Sequence, residues 1–244
     1  MIYYQKDGKL LLDNSSVAST GCVAVNYDGW PAKKLRVGIS LNGKTQYHLH
    51  TDGMQAPNLY PLNMGSGTYT ITLYEQYVGK TYRKIGRLKV YMSSTKNEWQ
   101  LSPNQFVWFE DDSPYVMTAR IMCSGAKDAK QRAKHIRGFF DKAFRYDFVK
   151  AARVPKNGEV LPDPYWCYQE KAGICQDFAS LATAMFRAVG VPARMKIGKL
   201  NGSPHAWVSY QTDGEWHLFD PSLAIPSFPA PKGKKRVYTT ERIY

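Results

Sequence analysis

Residues 171–198 read KAGICQDFASLATAMFRAVGVPARMKIG. Phe178, Leu181, Ala182, Met185, Phe186 and Val189 recur at steps of three and four, which sets them on one face of a helix. Gly190 followed by Pro192 supplies the stop. Counted back from that stop, the helix begins at about Cys175. A thiol at a helix N-terminus faces unpaired backbone N–H groups and the positive end of the helix dipole, and both stabilise a thiolate.

Downstream, residues 203–223 read SPHAWVSYQTDGEWHLFDPSL. Two strand-like runs flank a Thr212-Asp213-Gly214 turn, which predicts an antiparallel hairpin. Pairing outward from the turn brings His205 and Asp220 to the same end, within reach of each other. The residue types suit one chemistry. An amide carbonyl is a poor electrophile, so cleaving it by acyl transfer needs a strong nucleophile. It also needs an imidazole to ionise that nucleophile and protonate the departing amine, and a carboxylate to fix the imidazole tautomer. Taken singly, a cysteine is commonly a small buried hydrophobe, a histidine is structural, and Asp-Pro is a turn. The three together carry the functional expectation.

In order, Gly173-Ile174-Cys175-Gln176-Asp177-Phe178-Ala179, Gly190-Val191-Pro192-Ala193-Arg194, His205-Ala206-Trp207-Val208, and Trp216 leading to Asp220-Pro221 resemble the core of transglutaminase-like proteins over roughly residues 125–225. PLNMGSGTYTITLYE and LSPNQFVWF in the first half are similar to bacterial members with an N-terminal β domain. The resemblance implies a papain-like α+β core and a Cys175–His205–Asp220 triad. It also implies a thioester-forming reaction on peptide, protein or cell-wall peptide, completed by water or by an amine. Gln169, six residues before the cysteine, is the candidate second oxyanion donor beside the Cys175 N–H. Tyr165, Trp166 and Trp207 are candidates for the cleft walls. The alternative is a non-catalytic binding module on the same scaffold. An arylamine acetyltransferase would need an Arg-Gly-Gly type run before the cysteine, where Lys171-Ala172-Gly173 stands.

Before residue 100 the pattern changes to period two. Leu35, Val37, Ile39 and Leu41 precede an Asn42-Gly43 turn; Tyr69, Ile71 and Leu73 precede a turn near Gly79; Ile85, Leu88 and Val90 follow. Several short strands predict a β-sandwich-like domain over residues 1–105. Residues 106–125, with Pro103 just before them, an acidic run at Glu110 to Asp112, and Pro114, are expected as a connector. Residues 126–244 then form the transglutaminase-like domain, so the expected fold class is α+β. It opens with a helix from Ala126 to about Tyr146, and residues 150–168 are expected to be irregular. The Gly65-Ser66-Gly67 run opens a strand, so it is a turn and not a phosphate loop.

Cys22, Cys123, Cys167 and Cys175 form no CxxC pair and His48 with His50 lacks a third ligand, so no metal is expected. The resemblance brings no cofactor. Lys and Arg number 33 against 20 Asp and Glu, a formal charge of +13, and most of the excess falls after residue 120. Such a surface draws anionic partners. No nucleic-acid motif accompanies it, so nucleic acid is not the expected partner. No segment has the length and apolarity of a signal peptide or a membrane span. Related bacterial proteins of this layout are often exported, which implies an extracytoplasmic place if a leader is removed and a cytoplasmic one otherwise.

Overall fold

The computed structural model describes residues 2–4, 10–13, 15, 17–27, 34–93, 98–141, 144–155, 160–230 and 235–244. They divide into two compact units, Met1–Gln105 and Phe106–Tyr244.

The first unit contains β1 (Ile2–Tyr4), β2 (Leu10–Asp13), α1 (Val17–Thr20), β3 (Cys22–Tyr27), β4 (Leu35–Leu41), β5 (Lys44–His50), β6 (Leu59–Pro61), β7 (Gly67–Gln76) and β8 (Tyr82–Met92). They make two four-stranded sheets, β1-β2-β3-β6 and β5-β4-β7-β8, antiparallel throughout. Asn42 and Gly43 both have positive φ, 49° and 78°, the hand a two-residue hairpin turn requires. Alternate residues of β4, Leu35, Val37, Ile39 and Leu41, join Val23, Val25, Tyr60, Ile71 and Leu73 in one buried cluster. Burying each large side chain there contributes roughly 1.5–3 kcal/mol. His48 and His50 are buried in this unit. His50 Nδ1 pairs with the Tyr60 hydroxyl at 3.0 Å, and burial lowers its pKa to about 4. It is thus a neutral side chain held in the core.

The second unit contains α2 (Pro114–Met122), α3 (Ala129–Phe140), β9 (Arg145–Tyr146), α4 (Phe148–Arg153), α5 (Pro164–Glu170), β10 (Ala172–Gly173), α6 (Cys175–Ala188), β11 (Ala193–Leu200), β12 (Ser203–Thr212), β13 (Glu215–Phe219) and β14 (Tyr238–Ile243). Its sheet runs β13-β12-β11-β14, all antiparallel. Helix α6 packs between this sheet and α2, α3 and α5, so every residue from Gln176 to Arg187 is buried. A helix buried all round must satisfy its polar side chains within the protein. Ser180 Oγ donates to the Phe106 carbonyl at 2.7 Å and Thr183 Oγ1 to the Ala179 carbonyl at 2.7 Å. Arg187 Nε and Nη2 donate to the Ala193 carbonyl at 3.1 and 2.9 Å.

Three stretches differ from what the sequence suggested. The stretch 106–125, expected as a connector, falls within the second unit, and α2 within it buries Tyr115, Val116 and Ala119. Pro114 stands in the first turn of this helix, where a proline costs no hydrogen bond. Residues 150–168 are not irregular throughout either, since they hold the end of α4 and most of α5. Asp163 caps α5 by accepting from the Trp166 N–H at 2.8 Å, with Pro164 in the first turn. The single helix expected from Ala126 to Tyr146 is confined to α3, and β9 follows it.

Candidate active site

Helix α6 begins at Cys175, where the sequence placed it. Its start is fixed by Asp177, whose Oδ2 accepts from the Ile174 N–H at 3.0 Å. Asp177 Oδ1 reaches further and accepts from the Asp163 N–H at 2.9 Å, tying the α5 cap to the α6 cap. Its side chain is fully buried and paired with Lys150 Nζ at 2.9 Å. Burial raises the Asp177 pKa, against the opposing effect of the Lys150 charge and the two backbone donors. Lys150 also lies 5.0 Å from the centre of the Trp166 ring.

The hairpin β12–β13 pairs Thr212 with Glu215 and continues to Val208 with Phe219, which carries His205 and Asp220 past the last pair at one end. His205 Nε2 lies 2.7 Å from Asp220 Oδ2, with both side chains buried. Cys175 lines the same cleft as this imidazole and interacts with it electrostatically. With Nε2 directed at the carboxylate, Nδ1 is the nitrogen left for the sulfur. Burial by itself would lower the His205 pKa, but the hydrogen bond with Asp220 and the interactions with Cys175 and the Asp220 charge outweigh it and raise it to about 9. An imidazolium is therefore favoured at neutral pH beside the thiol.

The imidazole is held from its faces as well. Trp207 stacks on it at 6.3 Å and 15°, and Phe228 at 5.5 Å and 28°. Asp220 Oδ1 accepts from the Ser222 N–H at 3.1 Å, and Oδ2 also accepts from the Tyr238 hydroxyl at 3.0 Å. Cys175 and His205 open onto a cleft of about 520 Å³, whose walls include Tyr146, Pro155, Ile197 and Arg242. Among the described residues, no group of three or more His, Cys, Asp or Glu side chains could hold a metal ion, and none of the four cysteines is in a disulfide.

The structure thus brings Cys175, His205 and Asp220 together and leaves the other candidates elsewhere. Gln169 is exposed near the end of α5 and is not part of the cleft wall. Lys171, at φ 50°, closes α5 in the left-handed conformation and leads the chain into β10. Tyr165 is exposed, and Trp166 sits beneath Lys150; neither lines the cleft. Trp207 is buried behind the imidazole instead of forming a wall. Gln176, next to the cysteine, does line the cleft, and its Nε2 donates to the Val160 carbonyl at 3.3 Å. Asp177, Phe228 and Tyr238 are the members of the site that sequence reasoning gave no role. Asp177 stands inside the quoted motif, whereas nothing local marks the other two.

Residues 116–221 match the model of the transglutaminase-like superfamily. An uncharacterized protein of Bacillus subtilis (strain 168), YebA, is 26% identical over 211 residues, covering 78% of this chain and 27% of that protein. The uncharacterized protein ML0607 of Mycobacterium leprae (strain TN) is 36% identical over 62 residues, 20% of this chain and 22% of that protein. The chain thus spans about a quarter of the length of these curated relatives. Among solved structures, the periplasmic domain of TgpA from Pseudomonas aeruginosa bound to ethylmercury is similar at 14% identity and a TM-score of 0.44. That likeness covers 81% of this chain and 92% of that one.

Proposed function

We propose, of a chain whose residues 116–221 belong to the transglutaminase-like superfamily, that it is a cysteine-dependent acyl-transfer enzyme acting on amide bonds of a peptide, protein or cell-wall peptide. The observation that carries this reading is one imidazole, His205, hydrogen-bonded to Asp220 at 2.7 Å and sharing an open cleft with Cys175.

In the proposed cycle, Cys175 Sγ enters as a thiolate and attacks the carbonyl carbon of the bound amide. The carbonyl oxygen becomes an oxyanion, with the Cys175 N–H in the first turn of α6 as one donor, since such groups have no intrahelical partner. His205, held protonated by its carboxylate, gives its Nδ1 proton to the departing nitrogen. The C–N bond breaks and a thioester remains on Cys175. Water or a primary amine then attacks that thioester, with the neutral His205 taking the proton as the new bond forms. Collapse releases an acid or a new amide and restores the thiolate–imidazolium pair. Asp220 stays ionised throughout and holds the imidazole orientation.

Incubation with casein and the fluorescent amine dansylcadaverine tests the reading. Casein that becomes fluorescent indicates transfer to the amine, and ammonia or peptide release without label indicates hydrolysis. Either must vanish in Cys175→Ala. If no product depends on Cys175, the reading is contradicted and a binding role on the same scaffold takes its place.

A further inference from the structure

Tyr238 lies beyond residue 221, where the match to the superfamily ends. Its hydroxyl nevertheless donates to Asp220 Oδ2 at 3.0 Å, the oxygen that accepts from His205 Nε2 at 2.7 Å. Resting on the acyl-transfer reading above, we propose that Tyr238 is a positioning residue: strand β14 carries its hydroxyl to Asp220 and so fixes the orientation in which that carboxylate holds His205.

Three features support this role. The first is the completeness of the carboxylate's shell. A carboxylate bonded only to the imidazole and one backbone N–H retains freedom to rock about its last torsion, and a third donor from a different strand removes it. The second is that the hydroxyl is itself aimed by packing. The Tyr238 ring lies 4.9 Å from Trp207, and Trp207 stacks on His205. The third is register. Strand β14 pairs Tyr238 with Leu200 and Thr240 with Gly198, then shifts so that Arg242 meets Ile197. This close approach depends on Gly198, where a Cβ would stand 1.9 Å from the Thr239 carbonyl oxygen. A glycine at that point lets the strand lie down with Tyr238 over the carboxylate.

Tyr238 acts as a donor and not as a base. Burial and the adjacent Asp220 charge both push its pKa above the ordinary tyrosine value, with Arg236 the opposing cation. The hydroxyl also draws off part of the carboxylate charge that would otherwise fall on the imidazole. The charged groups facing His205 are Asp220 and Cys175, while Trp207 and Phe228 cover its ring without charge. Removing the hydroxyl therefore has two separable effects. The imidazole is less well aimed, which lowers the rate, and Asp220 binds it more strongly, which moves the alkaline inflection of the pH profile upward.

Tyr238→Phe keeps the ring contact with Trp207 and deletes one oxygen. The rate of Cys175 alkylation by iodoacetamide, followed from pH 5 to 10 beside a thermal melt, reads the result against wild type and His205→Ala. A folded Tyr238→Phe protein with a rate lower by about ten-fold and an alkaline inflection moved upward is the expected result. A rate and inflection both at wild-type values, while His205→Ala slows the reaction, would overturn the positioning role alone. Should His205→Ala react as fast as wild type, the acyl-transfer reading fails and the role of Tyr238 falls with it.

Discussion

Lys150 Nζ lies 2.9 Å from Asp177 Oδ2, an ion pair on a fully buried carboxylate two residues after Cys175. The same carboxylate accepts the Ile174 and Asp163 N–H groups. Asp177→Ala would leave both donors unsatisfied in the interior, each costing about 1–3 kcal/mol, and would leave Lys150 without its counter-charge. The expected outcome is a loss of roughly 2–4 kcal/mol in urea denaturation, with slower alkylation of Cys175 in the fraction that still folds. Lys150→Met removes the partially exposed partner and should cost less. Equal stability of Asp177→Ala and wild type would show that the caps of α5 and α6 are independent.

Asp220→Asn tests the carboxylate's part in fixing the tautomer. An amide of the same shape can present its NH2 to Nε2 and turn the ring proton to the wrong nitrogen. Rates of acyl transfer should fall on the order of 10³- to 10⁴-fold, in a protein that still folds but is less stable at neutral pH because the hydrogen bond and charge that raise the His205 pKa are weakened. A loss below ten-fold would indicate that the imidazole is oriented by Trp207 and Phe228 alone.

The raised pKa of His205 has a consequence for stability. The folded value, about 9, lies above the ordinary 6.5, so the protonated imidazole favours the folded state. That contribution is fully present below pH 6.5 and is lost as pH rises toward 9. It amounts to at most about 3 kcal/mol. Urea denaturation of wild type and His205→Gln at pH 6 and pH 9.5 should show a stability difference that shrinks at the higher pH. A constant difference would mean that His205 is neutral in the folded protein.

Gly198→Ala places a methyl group against the Thr239 backbone. Backbone cannot step aside as a long side chain can, so the pairing of β11 with β14 must loosen. A destabilisation of roughly 1–3 kcal/mol is expected, read by chemical denaturation, together with the slowed Cys175 reactivity of Tyr238→Phe. Unchanged reactivity in a destabilised protein would separate the placement of β14 from the working of the site.

The helix start at Cys175 and the His205–Asp220 hairpin end were legible because each depends on local signals. Periodicity, a Gly-Pro stop and a turn fix them within a few residues. Tyr238 was not legible. It follows a run of Pro, Gly, Lys and Arg that reads as loop, and β14 pairs with β11 some forty residues earlier, a non-local pairing that no periodicity reports. Asp177 was visible only as a motif letter, since its meaning depends on Lys150, 27 positions upstream. Gln169 was chosen by an offset counted along the chain, which carries no information on the left-handed residue Lys171 that follows it. The helices at Pro114 and Pro164 were missed because both prolines were counted toward irregular stretches, whereas in a first turn a proline begins a helix.

The central claim is a thiolate–imidazolium pair between Cys175 and His205, and limited iodoacetamide labelling of the native protein from pH 4 to 9 tests it most directly. Peptide mass spectrometry locates the modified cysteine, and His205→Ala serves as the comparison. The account predicts fast modification confined to Cys175 at neutral pH. It also predicts a marked slowing when His205 is lost. Alkylation of Cys175 no faster than that of an ordinary thiol, and indifferent to His205, would contradict it.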